Sequence, residues 1–455
     1  MSGWRLGMRE EWRLILRARL TVAALVLLCL LSCLAVAAGL HEVSRQQHTI
    51  ARAAALHELR AADVYERHAG DVGMVAYYSF YFTADPPSNA AFLALGLRDV
   101  APFIQRVRML GLQWQVYDGE HFNPELALPG RFDFAFVLVY LAPLFVIALL
   151  HDLVSGERQA GRLRLLLSMP GSLRQLWLRR VALRYGLVLA CLALPMLAGA
   201  AVAGMPWPAI AAAVAVVASY LVFWFGVALL VVTRGWRSRT NATVLMGIWV
   251  GLTVVLPVVA NIGLARAIPV NHGIDLMLAQ RQAVHAGWEV PREVTMRQFV
   301  RSHPQWAGIA PPRTGFNWAW YYALHQVGDE SVAGQVQAYR AGLDARQQWT
   351  GRLGWLLPGV AAQAFLHRLA HTDLDAQLAF QDRIGAFHQS VRTFHYPYLF
   401  GRRALGAEDF AARPAFAAAT PQPHVASDYL LAAIVLPWLL GALGLWAMFA
   451  VRLRP

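Results

Sequence analysis

The chain has 455 residues, a net charge of +13 and 57% hydrophobic residues. All 40 basic residues are arginine, so there is no lysine for a Walker-type phosphate loop or for a Schiff base. This composition excludes an ATPase built on that loop and a lysine-dependent enzyme. The three cysteines fall in apolar stretches, which predicts no disulfide framework.

Six stretches of 17 to 24 residues contain no Asp, Glu or Arg. About 20 helical residues are enough to cross a hydrocarbon core. We therefore predict an all-α polytopic membrane protein with six transmembrane helices, TM1 to TM6, at 20–40, 134–150, 185–203, 210–232, 242–265 and 429–451.

The charge is sorted between the connecting segments. Segments 1–19, 151–184, 233–241 and 452–455 carry 17 arginines and four acidic residues, which is the whole net charge, whereas the others hold 23 of each kind. Arginines in short alternating loops predict that these segments are cytoplasmic. We expect a bacterial inner-membrane protein with both termini inside and with anionic lipids, not nucleic acid, as the partner of the excess charge.

The N-terminal residues 1–19 predict an amphipathic helix at the cytoplasmic surface. Leu30–Cys33 resembles a lipoprotein box and Ala35–Ala37 a signal-peptidase site. The apolar run nevertheless continues to Leu40, which favours an uncleaved TM1. The polar, helix-favouring stretch 41–68 is predicted to prolong that helix outward.

Two long segments are predicted to be periplasmic. In 41–133, the aromatic patch 77–82 predicts either a short strand or an interfacial edge. In 266–428 we expect a mainly helical domain, with 353–370 lying against the membrane or the bundle because Pro358, His367 and Arg368 interrupt its apolar pattern. The helices predicted in this domain are 273–288, 294–302, 331–351, 353–370 and 373–394.

The loop after TM2 carries the strongest functional signal. It predicts a short helix with an acidic start at Glu157, an apolar stripe and a break at Pro170-Gly171. By pattern alone, such an elbow transmits motion from a partner protein or is a surface loop with snorkelling arginines.

The run Ser155-Gly156-Glu157-Arg158-x-x-Gly161-x-Leu163-x-Leu165-Leu166-Leu167-Ser168-x-Pro170 resembles the coupling-helix region of type-2 ABC transporter permeases. Family members usually have Thr at the position of Arg162. The resemblance implies six-helix exporter architecture and docking of the loop into a separate cytoplasmic ATPase subunit. The residues it implies for ATPase coupling are Glu157, Gly161, Leu163, Leu166, Pro170 and Gly171.

A second resemblance covers the second long segment, through Trp320-Tyr321-Tyr322, Leu357-Pro358, Ala370-x-Thr372-Asp373-Leu374 and Phe380. These residues are similar to a permease subgroup with a DUF3526-like periplasmic domain, related to permeases of copper-enzyme maturation and gliding motility. Members commonly have Gly where His371 stands. The resemblance makes Thr372 and Asp373 a candidate functional motif.

No resident cofactor is expected, because the resemblance places ATP and Mg²⁺ on the partner ATPase dimer. His367 and His371 are four residues apart and could share a helical face as metal ligands, but we predict no metal site because a third ligand is not fixed by spacing. The aromatic cluster at 306–322 is interpreted as packing rather than ligand stacking.

We predict a non-enzymatic permease subunit that pairs with a second copy or a sister permease and moves a substrate, more plausibly outward. The alternative is a mechanotransmission complex that transports nothing and acts on a periplasmic protein, for example in metalloenzyme maturation. An intramembrane enzyme is disfavoured because the predicted spans contain no Asp, Glu or His.

Overall fold

A computed structural model of the chain describes residues 2–117, 132–163, 173–270, 272–309, 315–401, 403–418 and 420–450. It is 77% helical, as the sequence predicts. Six helices are long and apolar enough to cross a membrane, so the chain is a multi-pass membrane protein.

The first third begins with a surface helix, continues with the long TM1 helix and ends in a small hairpin. Its elements are α1 (Ser2–Arg17), TM1 (Arg19–His68), α2 (Val72–Tyr78), β1 (Tyr81–Ala84), a 3₁₀ turn (Gly96–Asp99), β2 (Ile104–Val107) and α3 (Gln113–Val116). β1 and β2 pair antiparallel, with Tyr81 opposite Val107. The aromatic patch therefore divides: Tyr77 and Tyr78 end a helix, and Tyr81 and Phe82 begin a strand.

The central part contains four more spans and one short helix. TM2 consists of Phe134–Phe136, a π-helical turn (Val137–Leu141) and Ala142–Leu150; it is followed by α4 (Ser155–Gln159), TM3 (Leu173–Ala203), TM4 (Trp207–Val232) and TM5, which consists of Ser238–Val250, a π-helical turn (Gly251–Val255) and Leu256–Ala267. TM3 and TM5 extend beyond their apolar stretches because the flanking arginine-containing residues continue the helix.

The last part contains seven helices and a 3₁₀ turn before the final span. They are α5 (Gly273–Ala286), α6 (Arg292–Ser302), a 3₁₀ turn (Pro304–Trp306), α7 (Trp318–Ser331), α8 (Ala333–Gly354), α9 (Pro358–Ala370), α10 (Leu374–Leu399), α11 (Ala407–Ala411) and TM6 (Ser427–Ala450). The sequence analysis predicted all the longer ones except α7.

TM4 is the most buried span, and TM6 crosses it at glycine positions. A Cβ added to Gly226 would lie 2.5 Å from the Leu440 carbonyl oxygen, and one added to Gly444 would lie 2.5 Å from that of Gly226. Only residues without a side chain allow two backbones to approach so closely, which is a common way to join membrane helices.

The π-helical turn of TM2 provides polar contacts inside the bundle. The Val139 carbonyl accepts a hydrogen bond from the Tyr220 hydroxyl at 2.9 Å, and the Tyr140 carbonyl accepts one from the Trp249 indole at 3.2 Å. The same turn therefore joins TM2 to TM4 and TM5 through main-chain acceptors, which is a common use of irregular helical turns in membranes.

The two long connecting segments share one hydrophobic core, which we call the extramembrane domain. Tyr81, Val107 and Tyr117 from the first segment pack in one cluster with Trp320 and Phe380 from the second. The second segment was expected to have its own core; instead both segments contribute to the same unit.

TM1 continues as one helix into this domain. Fifty residues at 1.5 Å per residue give a length of about 75 Å. Beyond the span, the Tyr65 hydroxyl donates to the Leu405 carbonyl at 3.2 Å, and Glu58 pairs with Arg413 at 2.7 Å. The predicted outward extension of TM1 is confirmed.

Helix α9 joins the domain to the membrane helices. Phe365, Leu366 and Leu369 are buried in the same cluster as the spans. The stretch 353–370 is therefore not a seventh span; its helical part packs against the bundle, one of the two positions the sequence predicted.

Candidate functional site

The loop after TM2 folds into a short, well-defined elbow over the part that the structure describes. TM2 ends at Leu150, and α4 spans Ser155–Gln159. Gly161 follows with a φ of +70°, in the left-handed region, and its amide donates to the Arg158 carbonyl at 3.0 Å. A residue without a Cβ enters this conformation without strain, so Gly161 ends the helix and turns the chain.

The carboxylate of Glu157 is the centre of an ionic cluster. Its Oε2 accepts from Arg162 Nε at 2.7 Å, and its Oε1 accepts from Arg180 Nη1 at 2.9 Å. Arg180 Nε also donates to Glu11 Oε1 at 3.1 Å. Arg180 and Glu11 are 10% and 8% exposed, so this is a largely buried bridge between α1, the elbow and TM3.

The elbow is also bound to the loop between TM4 and TM5. Arg158 Nη1 donates to the Gly235 carbonyl at 2.7 Å, and the Ser155 and Ser238 hydroxyls are 2.8 Å apart. The Asn241 amide donates to the His151 carbonyl at 3.0 Å. These contacts bring α1 and the two short basic loops together at one end of the bundle, which we call the arginine-rich end.

The structure places the predicted coupling residues as follows. Leu163 is 2% exposed and packs in the core formed by the spans, so it anchors the elbow rather than presenting an apolar surface. Gly161 forms the turn and Glu157 the ionic cluster. Leu166, Pro170 and Gly171 lie outside the described residues.

Sequence reasoning did not find the partners of Glu157. Glu11 and Arg180 are separated by 169 residues and have no spacing that relates them. The available signal was the presence of two carboxylates, Glu11 and Glu157, in segments otherwise dominated by arginine, since a carboxylate in a basic surface is commonly paired.

Thr372 and Asp373 form a joint between the two segments of the extramembrane domain. The Thr372 hydroxyl donates to the Ala94 carbonyl at 2.9 Å, and the Leu97 amide donates to the Thr372 carbonyl at 2.8 Å. Asp373 caps α10 by accepting from the Ala376 amide at 3.1 Å and pairs with Arg368 at 2.8 Å. Both residues are buried, so this pair positions the segments and does not present a surface for ligands.

His367 and His371 do not share a helical face, and this expectation was wrong. Helix α9 ends at Ala370, and His371 has a φ of 54°. Its Nε2 donates to the Gln422 carbonyl at 2.8 Å, while His367 is buried at 3% exposure. The left-handed backbone also explains why glycine suits this position in the similar permeases. Within the described ranges, no three His, Cys, Asp or Glu side chains are grouped as metal ligands.

A second buried polar network lies in the extramembrane domain and was missed. Asp329 accepts from the Leu112 amide at 2.8 Å and from Arg392 at 2.7 Å, and His388 Nε2 lies 2.8 Å from the Arg108 carbonyl. Burial raises the pKa of Asp329, and burial lowers the pKa of His388 well below its usual value. The network holds the strand-bearing segment against α7 and α10.

The aromatic cluster is mainly packing, as interpreted. Trp320 and Tyr322 are 2% and 1% exposed in the core of the extramembrane domain. The Tyr322 hydroxyl donates to the Gly73 carbonyl at 3.1 Å, so the cluster also fixes α7 against α2.

Residues 275–419 match the family model described as Domain of unknown function (DUF3526). No curated protein and no solved structure is detectably similar to the chain. The match covers α5 to α11, so most of the second long segment is a DUF3526 domain, as its resemblance predicted. The resemblance of the elbow to type-2 ABC permeases stays a prediction.

Proposed function

We propose that this chain is the membrane-spanning permease subunit of an ABC transporter. In this proposal a separate ATPase dimer hydrolyses ATP with Mg²⁺ and the chain couples that reaction to movement of a substrate across the inner membrane, outward. The chain has no lysine for a phosphate loop, which agrees with ATP being bound by another subunit.

The observation that carries the proposal is the bracing of the elbow. Arg180 bridges Glu157 in the elbow to Glu11 in α1, and Arg158 and Ser155 bind the elbow to the TM4–TM5 loop. A force applied to this elbow would therefore move α1 and the ends of TM2, TM3 and TM5 together. A loop that only covered the membrane surface would need no such bracing.

The proposal assigns different tasks to the coupling residues. Glu157 already engages both oxygens within the chain, so its task is to hold the elbow in shape. Gly161 sets the turn, and Leu163 anchors it in the core. Contact with the ATPase would fall to the more exposed residues around them, together with Leu166, Pro170 and Gly171. Pairing of two permeases, as two copies or as sister chains, would bring two elbows to one ATPase dimer.

The test is co-purification with an ABC ATPase encoded beside the chain, followed by measurement of ATP turnover in the reconstituted complex. We expect E157Q to lower turnover stimulated by the permease while E10Q, a change to an exposed carboxylate on the same end, leaves it unchanged. Failure of the wild-type chain to bind or stimulate the ATPase would contradict the proposal.

A second candidate, mechanotransmission without transport, is favoured by the uninterrupted TM1 helix. It runs from Arg19, beside the ionic cluster, to His68 in the extramembrane domain, where Glu58 and Tyr65 contact the DUF3526 region. One rigid helix that contacts both ends could transmit motion to a periplasmic protein.

The two candidates differ in vectorial movement of cargo. Proteoliposomes containing the complex and ATP would accumulate or release substrate under the first. Under the second, ATP would change the conformation of the extramembrane domain, read by a fluorophore on its surface, without any movement of solute.

A further inference from the structure

A cavity of about 880 Å³ lies at the arginine-rich end, where α1 meets TM1. TM2 and TM3 complete its walls. Its lining is divided between apolar residues, such as Leu14 and Ala24, and charged residues, such as Arg180 and Arg184. A cavity with both kinds of wall suits an amphipathic molecule better than water or a small ion.

Arg184 is the charged group in this cavity that lacks a counterion among the described residues. Arg180 is neutralised by Glu11 and Glu157, but Arg184 makes no ion pair there, and its one hydrogen bond is from Nη1 to the Arg180 carbonyl at 3.2 Å. Its Nε is buried without an acceptor. An uncompensated guanidinium out of water is costly, so the cavity favours an anion.

Phosphate suits this group, because a guanidinium presents paired N–H donors that match two phosphate oxygens. The charges that line the cavity are Arg19, Arg162, Arg180 and Arg184 against Glu11, Asp152 and Glu157, a surplus of one positive charge that favours a monoanion. Asp152 makes no ion pair within the described residues, is exposed, and could accept from a hydroxyl of the bound molecule.

The apolar residues indicate what is attached to the phosphate. Leu14 and Leu20, which line the cavity, are 51% and 88% exposed. They lie where α1 joins a membrane span, at the depth where phospholipid headgroups meet hydrocarbon chains. Hydrocarbon chains would cover these leucines, whereas a free phosphate would leave them uncovered.

We propose that this cavity is a binding site for one anionic phospholipid with a hydroxylated headgroup, such as phosphatidylglycerol. Its phosphate binds Arg184, its headgroup hydroxyl donates to Asp152, and its acyl chains lie along Leu14 and Leu20. The lipid fills the space between α1 and the bundle, so it stabilises the position of α1 beside the elbow. The site does not depend on the proposed ATPase partner.

The experiment uses the full chain, delipidated in a neutral detergent, with phosphatidylglycerol added and the melting temperature recorded. R239Q is the matched control, because Arg239 is an exposed arginine of the same end outside the cavity. We expect the lipid to raise the melting temperature of wild type and R239Q, and R184Q to need about tenfold more lipid for the same effect. Equal responses of R184Q and wild type would overturn the proposal.

Two further arms keep the result decisive. Inorganic phosphate at the same concentration should have no effect; saturation by inorganic phosphate would show a free-anion site and overturn the lipid assignment. If R184Q does not fold, native mass spectrometry of wild type from mixed phosphatidylglycerol and phosphatidylcholine micelles decides. One retained phosphatidylglycerol per chain supports the site, and equal retention of both lipids contradicts it.

Discussion

Glu157 on α4 and Arg180 on TM3 form an ion pair of 2.9 Å, and the same guanidinium binds Glu11 on α1. Arg180 is thus the residue on which the shape of the arginine-rich end depends. Its replacement by glutamine would leave two carboxylates, 8% and 15% exposed, without their main counterion. We expect R180Q to lower the free energy of unfolding by about 3–5 kcal/mol.

This loss is measured by reversible denaturation of the purified chain in mixed micelles, with R239Q as the control for loss of an exposed arginine. An R180Q chain as stable as the control would show that the bridge contributes nothing to the fold.

Gly161 and Gly156 provide a matched pair in the elbow. Gly161 has a φ of +70° with open space around its Cβ position, whereas Gly156 is helical and a Cβ there would meet Asp152 at an ordinary 3.6 Å. G161A should therefore destabilise the chain by about 1 kcal/mol through backbone strain alone, and G156A should be neutral or slightly stabilising. Comparison of the two unfolding midpoints checks this, and the reverse order would contradict the left-handed turn.

Asp329 is expected to be essential to the extramembrane domain. D329N would remove the carboxylate that compensates the buried Arg392 and weaken the acceptor for the Leu112 amide. We expect a loss of about 3–5 kcal/mol. The neighbouring change E330Q affects an exposed carboxylate and should cost less than about 0.5 kcal/mol. Similar losses in the two variants, measured by proteolysis of the folded chain, would argue against the network.

The extramembrane domain should lose stability in mild acid. Burial lowers the pKa of His325 and of His395 to about 3 and lowers that of His388 well below 6.5. Between pH 6.5 and about 3 the unfolded chain binds protons that the folded chain excludes, so stability is full above 6.5 and falls as the pH falls. The slope is about 1.4 kcal/mol per pH unit for each histidine.

H395Q removes one of these groups and should make the decline shallower, whereas H285Q, a change at an exposed histidine, should not. Burial raises the pKa of Asp133 and of Asp329 and acts in the opposite direction, but only nearer the carboxyl range, so the slope is read from 6.5 to about 5. A stability that is flat over this range would contradict the buried neutral state.

His371 stands in a conformation that disfavours side chains. Glycine would relieve the strain of its φ of 54° but lose the hydrogen bond to the Gln422 carbonyl, so H371G should change stability by less than about 1 kcal/mol. Valine loses the same bond and adds β-branching, so H371V should be about 1–2 kcal/mol less stable than H371G. Equal melting temperatures for the two would show that the backbone is not left-handed in solution.

The spans and the long helices could be predicted from the sequence because they depend on local patterns. Uncharged stretches located TM1 to TM6, and the polar helical composition after Leu40 predicted the extension of TM1. Helix α7 was missed because its run of Trp and Tyr has little helical periodicity, and it is fixed by burial of Trp320 and Tyr322 against α2.

The polar clusters could not be predicted, because their members meet only in the folded chain. Glu11 and Arg180, or Asp329 and Leu112, are far apart in sequence and have residue types common on any surface. The left-handed conformation of His371 was equally hidden, since a histidine four residues after another suggests continued helix. Glu157 and Gly161 were identified through resemblance, and their contacts came from the structure.

The central claim, that the braced elbow faces the cytoplasm where an ATPase could engage it, is tested most directly by site-specific labelling. With the three native cysteines replaced, a single cysteine at Arg239 on the arginine-rich end or at Glu408 on the extramembrane domain is exposed to a membrane-impermeant maleimide. The account predicts that R239C is labelled only in inverted inner-membrane vesicles and E408C only in right-side-out vesicles. Labelling of R239C from the periplasmic side would contradict it.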